Sequence, residues 1–230
     1  MRFPTLFGVL LLASGLIFPA QAGTLVQVNA AGALPDTALD LTTANPGEII
    51  GSIPSTTDPL LGVNIFKIHI NALAFSAITL GLPFGIPDTE LFLFDSSGNG
   101  VYANDDFDTG TLSCLPGADP TLNLCPTAPP PGVGPLISGT YFLAITRASN
   151  LPLSGGNPMF SFTDSVVGPA LSGNHPIDGW DGGAFLSPNF DLVNYDIVLS
   201  GTVPEPATWT LFGVGTGLAL AAGKRARQAR

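Results

Sequence analysis

The segment Asp88–Asp108, DTELFLFDSSGNGVYANDDFD, carries a dense group of carboxylate and amide side chains. These are the oxygen donors that bind hard metal cations. Its centre, DSSGNG at Asp95–Gly100, is rich in turn-forming residues, and apolar residues alternate on both sides of it. We therefore predict a β-hairpin with a two-residue loop at Ser97–Gly98. This loop fixes the cross-strand pairs as Phe94 with Val101, Phe92 with Ala103, and Glu90 with Asp105.

The predicted register gathers carboxylates at the open end of the hairpin, where Glu90 faces Asp105 and Asp88 lies close to Asp106. Carboxylates that oppose each other across a sheet repel, so they must either point into water or share a cation. Calcium (Ca2+) suits such a group because it takes six to eight oxygen ligands. A second interpretation needs no metal and treats the side chains as turn or solvated loop residues, namely Asp95, Asn99, Asn104, Asp105 and Asp106.

The elements that must position this hairpin are short β-strands. Alternating apolar residues predict strands at 63–70, 74–80, 89–94, 100–103, 139–146 and 195–200, with others near 25–28, 48–53 and 159–162. Turns are provided by a chain that holds 28 glycines and 22 prolines. Many short strands separated by such turns predict an all-β fold, an antiparallel β-sandwich over residues 23–202.

One long surface insertion interrupts the predicted strands. Cys114 and Cys125 lie in CLPGADPTLNLC, and in an exported chain the expected outcome is a disulfide between them. Catalytic or metal-binding thiols are the alternatives, although the spacing fits neither CxxC pattern. The following stretch, Pro126–Pro135, cannot join a sheet because proline lacks the amide donor.

The charge distribution limits the partners and reactions. Between Gly23 and Val203 sixteen acidic residues face only two basic ones, Lys67 and Arg147, a formal charge of −14. This excess argues against nucleic acid and anionic membrane surfaces as partners. The chain has two histidines and none of the common nucleophile, zinc or phosphate-loop motifs, so we predict no enzyme. A glycosidase that uses paired carboxylates stays open as an alternative.

Both ends of the chain carry apolar segments. Residues 1–22 have a basic start at Arg2, an apolar run and a small-residue cleavage pattern at Ala20–Ala22, which predicts a secretory signal peptide. An uncleaved membrane anchor is the alternative. Residues 207–223 are uncharged and about 25 Å long as a helix, the lower limit of a membrane span. The basic residues that follow should remain cytoplasmic; they are Lys224, Arg225, Arg227 and Arg230.

The order Pro204-Glu205-Pro206, apolar helix and arginine cluster in residues 203–230 resembles the PEP-CTERM sorting signal. The resemblance implies recognition of Pro204, Glu205 and Pro206 by exosortase, a membrane-embedded thiol enzyme of Gram-negative, often polysaccharide-producing bacteria. It further implies transient residence in the inner membrane, removal of the helix 207–223 with the basic tail 224–230, and delivery to the cell surface or extracellular matrix. An ordinary tail anchor is the alternative.

A second resemblance covers about Val63 to Gly201. The order of Asp88–Asp106, SGTYFLAITRASN and YDIVLSG is similar to that of the bacterial pre-peptidase C-terminal (PPC) domain. This implies a jelly-roll-like β-sandwich with an accessory role. It also implies that Asp88, Asp105 and Asp106 are the best calcium ligands, and that Glu90 and Asn104 are the next best. The segment HPIDGWDGGAF departs from the pattern, and its Trp180 is either a core residue or a platform for a sugar ring.

Together these patterns predict an exported, non-enzymatic β-sandwich of a Gram-negative bacterium, processed by exosortase and linked to exopolysaccharide or biofilm. Calcium is the expected cofactor under the metal-binding interpretation of the hairpin. The alternative function is a small carbohydrate-binding module or hydrolase acting on matrix glycan.

Overall fold

The computed structural model describes residues 23–26, 31–44, 46–53, 60, 62–81, 88–107, 110–162, 166–170, 175–182 and 193–203. The predicted signal peptide 1–22, the sorting residues Pro204–Pro206, the helix 207–223 and the basic tail 224–230 lie outside these residues. The described part of the chain contains no helix with the length and apolar composition of a membrane span.

The described residues form an all-β fold with one 3₁₀ turn at Pro35–Thr37. The strands are β1 (Gly23–Val26), β2 (Leu39–Asp40), β3 (Pro46–Ile53), β4 (Val63–Ile70), β5 (Ser76–Thr79), β6 (Thr89–Phe94), β7 (Gly100–Asn104), β8 (Cys114–Leu115), β9 (Gly139–Arg147), β10 (Pro152–Ser154), β11 (Asn157–Pro158), β12 (Val166–Val167), β13 (Gly179–Trp180) and β14 (Val193–Ser200). They form a five-stranded sheet in the order β1-β3-β14-β5-β8 and a six-stranded sheet in the order β12-β7-β6-β9-β4-β2. A small third sheet has the order β11-β10-β13.

The two large sheets pack face to face, which confirms the predicted sandwich-like fold. Alternate residues of the central strands point into the space between them, as period-two patterning requires. Leu91 and Leu93 of β6 meet Ile197 and Tyr195 of β14 in one buried cluster. The pairing is mostly antiparallel, but β1 runs parallel to β3 and β2 runs parallel to β4. The prediction of a purely antiparallel sandwich is therefore wrong at these two edges.

The six-stranded sheet is buried on both faces, so the domain has a third layer that the sequence did not predict. Every residue of β6 is buried, because TELFLF is largely apolar at both odd and even positions. Phe92 and Phe94 face away from the five-stranded sheet and pack under the small sheet. The predicted strand at 159–162 is wrong: both Met159 and Phe160 are buried in this layer, so side chains there do not alternate between two faces.

Trp180 closes this third layer. Its ring meets Phe92 at a centroid distance of 5.6 Å and Phe94 at 6.5 Å in edge-to-face geometry. The indole Nε1 donates a hydrogen bond to the Ala33 carbonyl at 2.7 Å, and the residue is 4% exposed. Trp180 is therefore a core residue, with no free face on which a sugar ring could stack.

The predicted disulfide is present. Cys114 and Cys125 are bonded, with Cα atoms 5.7 Å apart. The loop between them is fixed to the five-stranded sheet, because Ser76 Oγ accepts from the Leu124 amide at 3.0 Å. No strand lies between Leu115 and Gly139, a stretch described throughout, which confirms that the Pro-rich segment stays out of the sheets.

Candidate metal centre

The turn of the β6–β7 hairpin has three residues rather than the predicted two. The Asp95 amide donates to the Asn99 carbonyl at 2.9 Å, and the Gly98 amide donates to the Asp95 carbonyl at 2.9 Å. Gly98 has φ of 86°, the left-handed conformation that glycine accepts without strain. The Asp95 carboxylate accepts from the amides of Ser97 and Asn99 at 2.8 and 3.0 Å. Asp95 and Asn99 are thus turn residues, as the metal-free interpretation proposed.

The predicted pairing register of the hairpin is correct in the middle of the ladder and wrong at both ends. Phe92 pairs with Ala103 as predicted, but Phe94 pairs with Gly100 and not with Val101. The extra residue of the loop is compensated by a bulge between Leu93 and Phe94, which restores the expected register beyond it. The ladder ends at Leu91 and Asn104, so Glu90 and Asp105 are not a ladder pair.

Three of the predicted ligands converge where β6 begins and β7 ends. Asp88, Asp105 and Asp106 each place one carboxylate oxygen within 4.8 Å of the other two. Asp88 and Asp106 are exposed, whereas Asp105 is half-buried. Hydrogen bonds hold the backbone around them: the Asp88 carbonyl accepts from the Ala148 amide at 3.1 Å, and the Asp105 carbonyl accepts from Ser113 Oγ at 2.6 Å.

Glu90 does not join this cluster. Its side chain is 1% exposed, and strand alternation puts it on the same face of the sheet as Phe92. Oε1 accepts from the Ser149 amide at 2.9 Å, and Oε2 accepts from Thr146 Oγ1 at 3.3 Å. Ser149 has φ of 66°, the only left-handed non-glycine residue in the described chain. Glu90 therefore holds the loop after β9 in place, although the charge of Asp105 still acts on it.

Asn104 is also a positioning residue. Its Nδ2 donates to the Asp106 carbonyl at 3.0 Å, and its Oδ1 accepts from the Cys114 amide. The side chain thus bends the backbone that carries Asp106 and connects it to the disulfide-bonded strand β8. These two bonds give Asn104 a structural role, and its predicted role as a calcium ligand stays a prediction.

The electrostatics of the cluster disfavour three charged aspartates. Burial, together with the charges of Asp106 and Asp88, raises the pKa of Asp105 to about 6. Burial, and then the charge of Asp106, raises the pKa of Asp88. Burial, and then the charge of Asp105, raises the pKa of Glu90 to about 8. A cation at this position would reverse the repulsion and lower all of these pKa values.

The donor set fits a hard cation. The three carboxylates supply only oxygen atoms, and Asp105 Oδ1 is buried with no hydrogen-bond partner among the described residues. A buried carboxylate oxygen without a donor is costly, whereas calcium accepts such ligands at 2.3–2.6 Å. The same cluster without a cation would be an exposed acidic patch, which is common on protein surfaces, so the geometry permits calcium without requiring it.

Sequence reasoning missed the residues that support the site from distant parts of the chain. Ser113 bridges the two halves of the hairpin, because its Oγ contacts the carbonyls of Thr89 and Asp105. Thr146 and Ser149 bind Glu90 from the end of β9. The sequence marks none of these three as special, since Ser and Thr are frequent in any loop-rich β protein.

A scan against known protein families matches residues 202–228 to the PEP-CTERM protein-sorting motif. The match contains all of the predicted sorting residues: Pro204, Glu205, Pro206, Lys224, Arg225 and Arg227. This motif is a substrate signal for exosortase and indicates an exported chain that is transiently anchored at the membrane. Neither curated proteins nor solved structures gave a significant match. The resemblance to the PPC domain stays a prediction.

Proposed function

We propose that this protein is an exosortase substrate that delivers an acidic, disulfide-bonded β-sandwich to the cell surface or extracellular matrix. The observation that carries the proposal is the PEP-CTERM motif at residues 202–228. The first two residues of this motif are bonded to the sandwich. Thr202 Oγ1 donates to the Pro46 carbonyl at 2.8 Å, and the Val203 amide donates to the His69 carbonyl at 2.9 Å. The recognition tripeptide Pro204–Pro206 directly follows Val203 in the sequence.

A deletion of residues 204–230 tests the sorting role. The shortened domain should be released into the medium, whereas the full chain should be recovered at the cell surface. A matched variant replaces Pro204, Glu205 and Pro206 with alanine and keeps the apolar segment, so it should accumulate unprocessed in the inner membrane. Unchanged surface retention of the shortened domain would refute the proposal.

The proposed role at the surface is structural, in an exopolysaccharide matrix or biofilm, rather than enzymatic. It is supported by the acidic surface and by the sorting motif. A glycan array with the purified domain should detect binding to matrix polysaccharide without release of reducing sugar. Release of reducing ends from matrix glycan would instead establish a hydrolase.

We further propose that calcium stabilises the domain at Asp88, Asp105 and Asp106. The support is the convergence of three carboxylates and the unpartnered buried oxygen of Asp105. Calcium at a hundred times its dissociation constant would stabilise the fold by about 2.7 kcal/mol, which raises the melting temperature by about 5–10 °C.

Thermal melts in calcium and in chelator test the ion site. Asp105→Asn should remove the calcium-dependent shift and keep the fold, because asparagine has the same shape as aspartate without its charge. Asp36→Asn removes an exposed carboxylate outside the cluster and should leave the shift intact. Identical melting of the wild type in calcium and in chelator would reject the site.

A further inference from the structure

The last described residues of the chain, 201–203, lie at one defined end of the sandwich. Thr202 forms a β-bridge with Ile70 at the end of β4, and the Asn71 amide donates to the Gly201 carbonyl at 2.8 Å. Gly201 has φ of 67°, and a Cβ there would lie 2.4 Å from the Ala74 carbonyl carbon. The exit of the tail is therefore held tightly against the turn that follows β4.

The same end carries the most exposed large apolar side chains of the described chain. Leu136 is 82% exposed, Ile137 is 76% exposed and Leu73 is 68% exposed. We name these three residues the apolar rim. The two segments that carry them are neighbours, because the Ala72 amide in the turn after β4 donates to Ser138 Oγ, before β9, at 3.1 Å. Single exposed apolar residues are normal, but this concentration beside the tail exit needs a partner.

The length of chain beyond the domain indicates which partner lies nearest. Only Pro204–Pro206 separate Val203 from the uncharged segment 207–223. Three residues span at most about 10 Å. While the apolar segment is in the membrane, the end of the domain that carries the apolar rim is consequently held close to the outer surface of the bilayer.

The cluster of three carboxylates lies at the other end of the six-stranded sheet from the rim. β6 runs antiparallel to β9, with Thr89 opposite Arg147 at one end and Phe94 opposite Phe142 at the other. The cluster of Asp88, Asp105 and Asp106 adjoins the first end, whereas the apolar rim adjoins the second. Two acidic residues lie near the rim. The Asp119 amide donates to the Leu73 carbonyl at 2.9 Å. The charge of Asp95 acts on Tyr141, whose hydroxyl donates to the Ile137 carbonyl at 2.6 Å.

We propose that the apolar rim docks onto the lipid surface of the bilayer while the sorting tail is inserted. The inference rests on the proposed function, which supplies the inserted tail. An acidic domain would not bind an anionic membrane surface on its own, so the contact depends on the tether that the inserted tail provides. Apolar side chains enter the boundary between headgroups and acyl chains, and the short tether raises their effective concentration there. Docking fixes the orientation of the domain and holds Pro204–Pro206 at the membrane surface, where a membrane-embedded enzyme reaches it. Removal of the tail abolishes the tether and releases the rim.

The test uses the full chain reconstituted into phosphatidylethanolamine–phosphatidylglycerol vesicles, with an environment-sensitive fluorophore on Ile137→Cys. The native cysteines are bonded to each other, so the introduced thiol is labelled selectively. Quenchers on the lipid chains should remove about half of the emission, because interfacial apolar groups penetrate about 5–10 Å. The matched control carries the label on Leu39→Cys, an exposed leucine at the edge strand β2, and should be quenched far less.

A second variant tests the rim itself. With the label moved to Leu73→Cys, the pair of substitutions Leu136→Ser and Ile137→Ser should at least halve the quenching, and circular dichroism should show an unchanged β fold. Docking should strengthen with salt, since salt screens the repulsion between an acidic domain and anionic lipid.

Each result decides between distinct conclusions. Flotation in a density gradient shows whether the full chain is bound to the vesicles. A chain that floats with the vesicles but shows equal quenching at positions 137 and 39 overturns the docking and leaves the sorting function intact. Shielding of the rim that appears only when exosortase is added assigns the rim to that enzyme and overturns the lipid contact. A full chain that does not float overturns both the membrane-anchored tail and the docking that depends on it.

Discussion

Replacing Glu90 with glutamine should remove most of the pH dependence of stability near neutral pH. Glu90 is 1% exposed, and its carboxylate accepts hydrogen bonds from Ser149 and Thr146. Glutamine has nearly the same shape, retains an oxygen that accepts from the Ser149 amide, and carries no charge. The substitution therefore isolates the cost of ionising one buried carboxyl group.

The magnitude follows from the pKa of Glu90, which burial raises from 4.5 to about 8. Because the folded-state pKa lies above the unfolded one, the stabilising contribution is complete below pH 4.5 and is lost as the pH rises to 8. The loss is about 1.4 kcal/mol for each pH unit, or about 5 kcal/mol over the whole interval. Folded domains have a net stability of about 5–15 kcal/mol, so the effect is measurable.

Urea denaturation in chelator, at intervals between about pH 6 and pH 8, measures this slope. This pH window excludes most of the contribution of Asp105 to the slope, because the pKa of Asp105 is raised only to about 6. The wild type should lose about 1.4 kcal/mol per pH unit, whereas Glu90→Gln should be nearly flat and more stable than the wild type at pH 8. Asp36→Asn, which removes an exposed carboxylate, should keep the wild-type slope. Equal slopes in the wild type and Glu90→Gln would refute the reasoning.

Three further variants test the framework around the site. Replacing Cys114 and Cys125 with serine should lower the free energy of unfolding by about 3 kcal/mol, measured by urea denaturation, because the bond closes a loop with a separation of 11 residues. Phe92→Ala should cost about 3–5 kcal/mol in the same assay, since its ring packs on four aromatic neighbours; a loss below 1 kcal/mol would contradict the third layer. Gly201→Ala should cost more than about 2 kcal/mol because of its left-handed φ and its contact with Ala74; an unchanged melting temperature would contradict the packing of the exit.

The sequence predicted those parts of the fold that local pattern determines. Val63–Ile70 and Thr89–Phe94 have the strand limits expected from apolar alternation and turn residues. The small third sheet could not be predicted in this way. Its strands have two or three residues, and Pro152 pairs with Trp180 across a long stretch of intervening chain. Such pairs form because they cover Phe92 and its neighbours, and no local sequence pattern predicts this contact.

The candidate site shows the same division. Asp88, Asp105 and Asp106 could be placed together because a hairpin brings the ends of its two strands close to each other. The three-residue loop and the bulge were both missed, but their errors cancel beyond Leu93. The separation of Glu90 from the cluster was not predictable. It depends on a hydrogen bond from the Ser149 amide, which is 59 residues away in the sequence. Ser149 also has a left-handed backbone conformation.

The position of β14 has a consequence for the order of events during export. β14 is the last strand in the described chain, yet it lies in the middle of the five-stranded sheet, between β3 and β5. Until Ser200 has crossed the membrane, β3 and β5 each lack the neighbour that β14 provides, and the sheet is divided. Only six residues, 201–206, then separate Ser200 from the apolar segment. Completion of the fold and arrest of the chain in the bilayer are therefore nearly simultaneous, and exosortase would meet a folded domain rather than a nascent one.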